Sequence, residues 1–276
     1  MPELADLHMH THFSDGTDSP QEVVEASVKA GLKCIAITDH DTIDGVKPVQ
    51  EAAKNFDLEV IAGIELSTEA NNNDVHILGY FIDVANKNLL AKIYEMQSSR
   101  LSRLTEVLEK LKKLGVGDIT EEEVLALAKS KSVGRPHIAQ ILKEKGKVKS
   151  IQDAFDKYLA FGAPAYVGKF KQTPEEAIQL IREAGGVAVL AHPQISAVDE
   201  LIPSFVRAGL GGIEVYYPNV PETLVQFYLR LAKKHNLLVT GGSDAHGKAK
   251  VHTYIGRLKV DYSLVVAMKE RLSIKK

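Results

Sequence analysis

Cys34-Ile35-Ala36-Ile37-Thr38-Asp39-His40 is a short apolar run that ends on an acid and a histidine. A continuous apolar run of this length reads as a strand buried on both faces, as in a parallel sheet. Working outward, Leu4–Met9 and Val60–Leu66 read as two further strands. Between them lie two helical patterns. Pro20–Ala30 is opened by Ser19-Pro20, with proline at an early helical position, and Val46–Phe56 is the second. This βαβαβ rhythm predicts a parallel sheet with helices outside it.

The next link is different. Only eight residues, rich in asparagine (Asn71-Asn72-Asn73), separate Leu66 from Val75. A parallel crossover needs about a dozen or more residues, so Val75–Ile82 is predicted to return antiparallel to the third strand. From Leu89 to Phe161 apolar residues recur at helical spacing, and Thr120–Lys129, Pro136–Glu144 and Ile151–Leu159 continue in helical patterns with no strand between them. The alternation then resumes, with strands at Val187–Ala191, Gly212–Tyr217 and Leu237–Thr240 and helices at Thr173–Ala184, Val198–Ala208 and Leu224–Lys234. The expected fold class is therefore α/β, a seven-stranded distorted barrel formed by residues 1–88 and 166–276, with a helical insertion over 89–165. An open doubly wound sheet satisfies the same pattern.

The 276 residues carry 34 Lys plus Arg against 36 Asp plus Glu, a net charge of −2. That balance excludes the basic footprint of a protein that coats long duplex nucleic acid or acidic membrane. A single cysteine, Cys34, excludes an internal disulfide framework and fits a reducing compartment. Met1-Pro2-Glu3-Leu4 lacks the basic and apolar regions of a leader, and no run approaches a membrane span. The expectation is a cytoplasmic globular protein, a monomer or small homo-oligomer with no membrane partner.

Residues able to bind metal sit at strand ends. His8, His10 and Asp15 close the first strand, Asp39 and His40 the second, and Glu65 the third. His192 closes the fifth, and Asp244 and His246 the last. Active sites of α/β barrels gather at the carboxyl ends of the strands. His76 begins the antiparallel fourth strand, which brings it to the same end. His8 and His10, two apart on a strand, point to one face. Imidazole mixed with carboxylate suits Zn, Mn or Fe rather than a thiolate site. Nine such side chains exceed what one ion takes while keeping an open position. Two or three ions are the natural reading, with Glu65 or Asp244 bridging. Asp39 reads either as a ligand or as a residue orienting one, and Glu214 either as part of the rim or as a packed, paired carboxylate. His235, in a Lys-rich helix end, reads as solvated, while His12 and His252 stay open.

Gly134-Arg135-Pro136-His137 opens a helix with proline at its first position. Helix N-termini offer free N–H groups to phosphate, and an arginine adds a bidentate donor. Lys169 follows the insertion where the chain re-enters the barrel. Each also has a plainer reading as a solvated surface charge. Neither a dinucleotide fingerprint nor a P-loop nor a nucleophile elbow occurs.

Asp6-Leu7-His8-Met9-His10, Ser14-Asp15-Gly16, Thr38-Asp39-His40-Asp41-Thr42, Gly63-Ile64-Glu65, His76-Ile77-Leu78-Gly79-Tyr80, Ala191-His192-Pro193 and Gly242-Ser243-Asp244-Ala245-His246-Gly247 resemble, in this order, the PHP (polymerase and histidinol phosphatase) family. Arg135-Pro136-His137-Ile138-Ala139 within a helical insertion is similar to the branch holding nucleoside 3′,5′-bisphosphate phosphatases and 5′→3′ exonucleases on short RNA. The resemblance implies a distorted (β/α)7 barrel with two or three Mn²⁺, Zn²⁺ or Fe²⁺ ions and hydrolysis of a small phosphorylated substrate, a nucleotide or short RNA. His8, His10, Asp15, His40, Glu65, His76, His192, Asp244 and His246 fall at the family's ligand positions. Arg135, His137 and Lys169 fall where that branch contacts substrate phosphate. After Pro218-Asn219, Val220-Pro221 replaces the polar pair frequent in relatives, which bears on the leaving-group pocket.

The implied mechanism is metal-assisted hydrolysis, with an acidified water attacking phosphorus in line. Arg135 and Lys169 would stabilise the developing charge, and His192 or His246 would assist proton transfer to the leaving oxygen. Three competing readings are a histidinol-phosphate phosphatase, an amidohydrolase cleaving C–N bonds on a metal-bearing barrel, and a non-catalytic metal-binding module.

Overall fold

Seven of the strands read from the sequence are present, joined by a short eighth. The computed structural model describes residues 3–128, 132–168, 172–250 and 252–273. The chain begins β1 (Leu4–Met9), α1 (Pro20–Lys29), β2 (Cys34–Ile37), α2 (Val46–Ala52) and β3 (Glu59–Ala70). α1 starts where Ser19 accepts from the Glu22 backbone and the Glu22 side chain returns to the Ser19 N–H, a reciprocal cap with proline just inside it. β1, β2 and β3 pair in parallel.

β3 runs straight into β4 (Asn73–Tyr80), paired antiparallel from Gly63↔Tyr80 to Ala70↔Asn73. Asn71 and Asn72 form the two-residue turn at φ 51° and 63°. Two successive left-handed residues match the twist of a hairpin, and asparagine tolerates that conformation. The antiparallel return expected from the short link is thus present, and it sets Ser67 opposite His76.

The helical stretch follows as α3 (Lys87–Lys113), α4 (Glu121–Ala128), α5 (Arg135–Glu144), α6 (Ile151–Ala154) and a π-turn over Phe155–Leu159. Lys129, the last residue expected in the second of these helices, lies outside the described residues. Leu104, Val107, Leu108 and Leu111 from α3 pack with Val124, Ile138, Leu142 and Leu159 in a core of their own.

The barrel resumes with α7 (Pro174–Glu183), β5 (Val187–Leu190), α8 (Pro193–Ser196), α9 (Ile202–Ala208), β6 (Gly212–Tyr216), α10 (Glu222–His235) and β7 (Leu238–Gly241). β5 pairs antiparallel with β4, and β5, β6 and β7 run in parallel. β8 (Val260–Asp261) pairs antiparallel with the start of β1 and leads into α11 (Ser263–Ser273). The sequence offered no signal for β8, because two residues carry no periodicity.

The ring closes at its functional end. The His10 N–H donates to the Ala245 carbonyl at 2.9 Å and the Asp244 N–H to His8 at 2.8 Å. Gly242 permits this approach, since a Cβ there would lie 2.3 Å from the His8 nitrogen. Leu7, Cys34, Leu78, Tyr80 and Val189 fill the interior, with Met268 of α11 packed against them, and the Tyr80 hydroxyl donates to the Leu7 carbonyl at 2.9 Å. Met9 packs instead on the outer cluster with Val23 and Val24. The pairing of β1 with β2 slips between Asp6 and Met9. Such a bulge re-aims side chains, and here it turns His8 inward directly after inward-facing Leu7.

Candidate functional site

Strands with parallel neighbours end together, so the residues just past β1, β2, β5 and β7 meet at one mouth. Glu65 of β3 is the hub. Its Oε2 lies 3.2 Å from His8 Nε2, 3.2 Å from His10 Nε2 and 3.3 Å from His40 Nδ1. Its Oε1 lies 2.9 Å from His76 Nδ1 and 3.1 Å from His192 Nε2. Asp244 Oδ1 approaches His10 at 3.1 Å, His8 at 3.4 Å and His246 at 3.5 Å, and Asp15 Oδ1 lies 3.3 Å from His246. All nine residues expected as ligands are therefore in one basin. Eight of them group as His8–His10–Glu65–Asp244, His10–Asp15–His40–His246 and His40–Glu65–His76, and His192 joins the basin through Glu65.

The electrostatics favour a cation there. Burial opposes ionisation of Glu65, Asp15 and Asp244, yet the surrounding imidazoles hold all three well below the ordinary carboxylate range. Burial likewise opposes charge on His8, but Glu214, Glu65 and Asp244 outweigh it and raise its pKa. His10 is pushed up to about 9 against its own burial by Asp244 and Glu65. Burial takes His40 down to about 3, past the opposing pull of Glu65 and Asp15. Five buried atoms, His10 Nδ1, His40 Nδ1, His192 Nδ1, His246 Nε2 and Asp15 Oδ1, make no hydrogen bond. Buried polar atoms are otherwise nearly always paired. Nitrogen and oxygen atoms crowded together without hydrogen-bond geometry are what ligand atoms aimed at shared cations look like, so the residues present fit divalent metal.

A supporting layer orients this set. Glu214 accepts from His8 Nδ1 at 2.9 Å and from the His192 N–H at 2.8 Å. It thereby fixes the His8 tautomer and holds His192 at φ 26°, a left-handed backbone unusual for a histidine. Glu214→Gln is expected to weaken metal affinity or turnover by about 10–100-fold, and titration of metal against the stripped variant measures it. Asp39 is not directed at the basin. It accepts from the Thr11 N–H at 2.8 Å, the Thr11 hydroxyl at 2.7 Å and the Ser14 hydroxyl at 2.6 Å, and so shapes the loop that carries Asp15. Tyr217 and Lys250 were not foreseen. Both donate to Asp244 Oδ2, at 2.8 and 3.0 Å. His12, His235 and His252 belong to none of the three groups.

Beside the basin opens a cleft of about 150 Å³, lined by Asp15, His40 and His76 on the barrel side and by Arg100, Arg103 and Arg135 on the insertion side. Arg135 heads α5 as expected, donates to the Leu159 carbonyl and to Asp74, each at 3.2 Å, and lies over the Phe155 and Tyr166 rings. Arg100 chelates Asp41, with Nε 2.9 Å from Oδ2. Burial, followed by repulsion from Arg100 and Arg135, lowers Arg103 to about 10. Arg100 and Arg103 stand three apart on α3, on the charged face between its apolar positions. The fold over the barrel mouth turns that face into a wall. His137 is buried on the neighbouring side of α5, where its Nδ1 accepts from the Gly134 N–H at 3.0 Å. It caps its own helix and is not among the residues lining the arginine cleft. Lys169 lies outside the described residues.

Among the described residues, no helix is long and apolar enough to cross a membrane. Residues 6–168 match the family model for the PHP domain. The chain is 35% identical to the 5′-3′ exoribonuclease Rnm of Escherichia coli, over 88% of this chain and 85% of that one. It is 31% identical to a 3′,5′-nucleoside bisphosphate phosphatase of Chromobacterium violaceum, over 87% and 86%. A crystal structure of a Bifidobacterium adolescentis protein, assigned as a metal-dependent phosphoesterase, superposes with a TM-score of 0.88 at 33% identity, covering 98% of both chains. Motif order, barrel topology and this match agree: the chain is a member of the PHP domain family.

Proposed function

We propose that the protein is a metal-dependent hydrolase of nucleotide phosphoesters, acting on a 3′,5′-bisphosphonucleoside or a short 5′-phosphorylated oligoribonucleotide. The observation that carries this reading is the juxtaposition of a carboxylate–imidazole basin with an adjoining three-arginine cleft that shares Asp15, His40 and His76 with it. His8, His10, Asp15, His40, Glu65, His76, His192, Asp244 and His246 are the residues that would hold the ions. The three groups overlap at His10, His40 and Glu65, which favours two or three ions over one isolated ion. When bound, divalent ions neutralise phosphate charge and lower the pKa of water. The donor set suits Mn²⁺, Zn²⁺ or Fe²⁺.

The protein's own groups supply the rest. Arg135, Arg103 and Arg100 bind the phosphate that does not react and position the ester over the basin. Arg100 is paired with Asp41 and Arg135 with Asp74, while repulsion from both bears on Arg103, so an incoming phosphate meets a cleft with net guanidinium character. Glu214 keeps His8 and His192 in place. His192 and His246 are the two imidazoles proposed to assist proton transfer to the leaving oxygen, each through whichever ring nitrogen is not held by metal. A lone monoester such as histidinol phosphate leaves the arginine cleft unused, and a C–N substrate has no need of it. Both alternatives therefore rank lower.

The test is a panel with each metal restored to stripped protein: adenosine 3′,5′-bisphosphate, 5′-phosphorylated short RNA, histidinol phosphate and a cyclic amide. Turnover confined to the last two would overturn the reading. Arg135→Ala is expected to raise KM for the bisphosphate by about 30-fold, from the loss of charge-assisted hydrogen bonds worth about 2 kcal/mol, while leaving metal content unchanged. Unaltered KM and kcat would remove Arg135 from the phosphate site.

A further inference from the structure

Asp244 and Glu65 differ in what their paired oxygens meet. Both Glu65 oxygens face basin imidazoles, Oε2 toward His8, His10 and His40 and Oε1 toward His76 and His192. On Asp244 only Oδ1 does, with His10, His8 and His246 within 3.5 Å. Oδ2 is turned away and accepts from the Tyr217 hydroxyl at 2.8 Å and from Lys250 Nζ at 3.0 Å, its only hydrogen bonds among the described residues. Tyr217 stands just past β6 and Lys250 in the loop after β7, so two separate elements deliver the donors. The Asp244 backbone is pinned as well, its N–H donating to the His8 carbonyl and its own carbonyl lying 2.8 Å from His246 Nδ1.

We propose that Tyr217 and Lys250 are positioning residues that reserve Asp244 Oδ2, so that Asp244 meets a cation through Oδ1 alone and the basin favours a compact ion such as Zn²⁺ over the larger Mn²⁺. The inference rests on the reading of the basin as a metal centre given above. A carboxylate oxygen that already accepts two hydrogen bonds, one of them from an ammonium, gains little by turning to a cation. Zn²⁺ loses nothing by this, since four ligands with one donor atom each satisfy it. Larger, harder ions take more oxygen atoms, and a carboxylate that grips through both of its oxygens is a common way to supply them. Withholding Oδ2 therefore removes a ligand atom that only the larger ion would use.

Tyr217 ties this lock to the opposite wall of the basin. Its ring stands edge-on to the His192 ring, 5.7 Å between centroids, and His192 in turn lies 3.1 Å from Glu65 Oε1. Lys250 supplies charge as well as a hydrogen bond, from a side chain that stays half-exposed at the rim. Asp244 itself is buried, and a buried polar atom without a partner is costly. With both donors gone, Oδ2 turns to the nearest positive charge left, the cation beside Oδ1.

The experiment dialyses metal-stripped wild type, Tyr217→Phe, Lys250→Met and the double variant against equal concentrations of Zn²⁺ and Mn²⁺, and reads bound metal by elemental analysis. The ratio of bound Mn²⁺ to Zn²⁺ should rise by about tenfold in the double variant, within the range over which such outer partners tune a metal site, and by less in each single variant. Lys250→Arg, which keeps both charge and donor, should keep the wild-type ratio. Loss of the Lys250 charge by itself favours every divalent ion alike and leaves the ratio unmoved. Cobalt-loaded protein gives a second reading, since its visible absorption should weaken in the double variant as an added oxygen raises the coordination number. Should the double variant fail to fold, the single variants carry the same test, because one removes a single hydroxyl and the other a half-exposed side chain. An unchanged ratio in folded variants, or an equal loss of both ions, would overturn the lock while leaving the metal-dependent reading intact. Wild-type protein that binds neither ion would overturn that reading, and the lock with it.

Discussion

Replacing Glu65 by glutamine is expected to lower phosphoester turnover by about 10³-fold, which corresponds to some 4 kcal/mol of lost transition-state stabilisation. Divalent metal bound after purification should fall with it. The substitution keeps the shape of a side chain whose two oxygens lie within 3.3 Å of five imidazoles. It removes only the negative charge that faces them. A neutral amide offers one weak oxygen donor where the carboxylate offers two, and its NH₂ group would confront imidazole nitrogens meant for a cation. Elemental analysis and steady-state kinetics on the same preparation make the measurement, with a circular dichroism melt to show that the variant is folded. A folded Glu65→Gln protein that retains its metal and its rate would remove Glu65 from the centre of the site.

The second large effect is on stability. Asp41→Asn is expected to cost about 3 kcal/mol, the range for leaving one member of a buried ion pair without its partner. That lowers the melting temperature by on the order of 10 °C for a chain of this size. Asp41 follows β2 on the barrel, at φ 51°, a conformation that asparagine also tolerates, so the change isolates charge from backbone strain. Its Oδ2 is chelated by Arg100 of α3, and its Oδ1 accepts from the Ser67 N–H at 2.8 Å. Arg100 also donates to the Ser67 hydroxyl at 3.1 Å and the Val133 carbonyl at 3.2 Å. One carboxylate therefore ties the insertion to the barrel at the lip of the arginine cleft, and KM for phosphate substrates should rise with the loss of stability. The Lys33–Asp57 pair, with the Asp57 side chain 90% exposed, is the control. Asp57→Asn should leave the melting temperature where it is. Equal, small effects of the two substitutions would show that Asp41 does not anchor the insertion.

Much of the site was legible because its chemistry is local. His8 and His10, Asp39 and His40, and Asp244 and His246 follow apolar strand runs, and a strand has one end at which its neighbours' ends also lie. The short link through Asn71 and Asn72 fixed the direction of the fourth strand, and with it the side on which His76 lies. Glu65 and Asp244 could be read as candidate bridges because they are carboxylates among imidazoles. What escaped depends on distance along the chain. Arg100 and Arg103 carry a helical spacing that fits a solvated surface equally well. Only the docking of α3 against the barrel decides otherwise. Tyr217 and Lys250 act through hydrogen bonds to Asp244 that no sequence pattern marks, and the choice between the two readings of Glu214 rests on its bond to His8, 206 positions away.

By itself, then, the sequence determined the strand directions, the helical nature of the insertion and the identity of the side chains gathered at the barrel mouth, because periodicity and link length constrain the backbone over a dozen residues at a time. Tertiary structure alone decided which charged helical face became a phosphate wall, that His137 caps its helix outside the arginine cleft, and that a bulge turns His8 inward. Each of these follows from how separate elements pack, and packing is settled by burial and ion pairing between segments that no local pattern links.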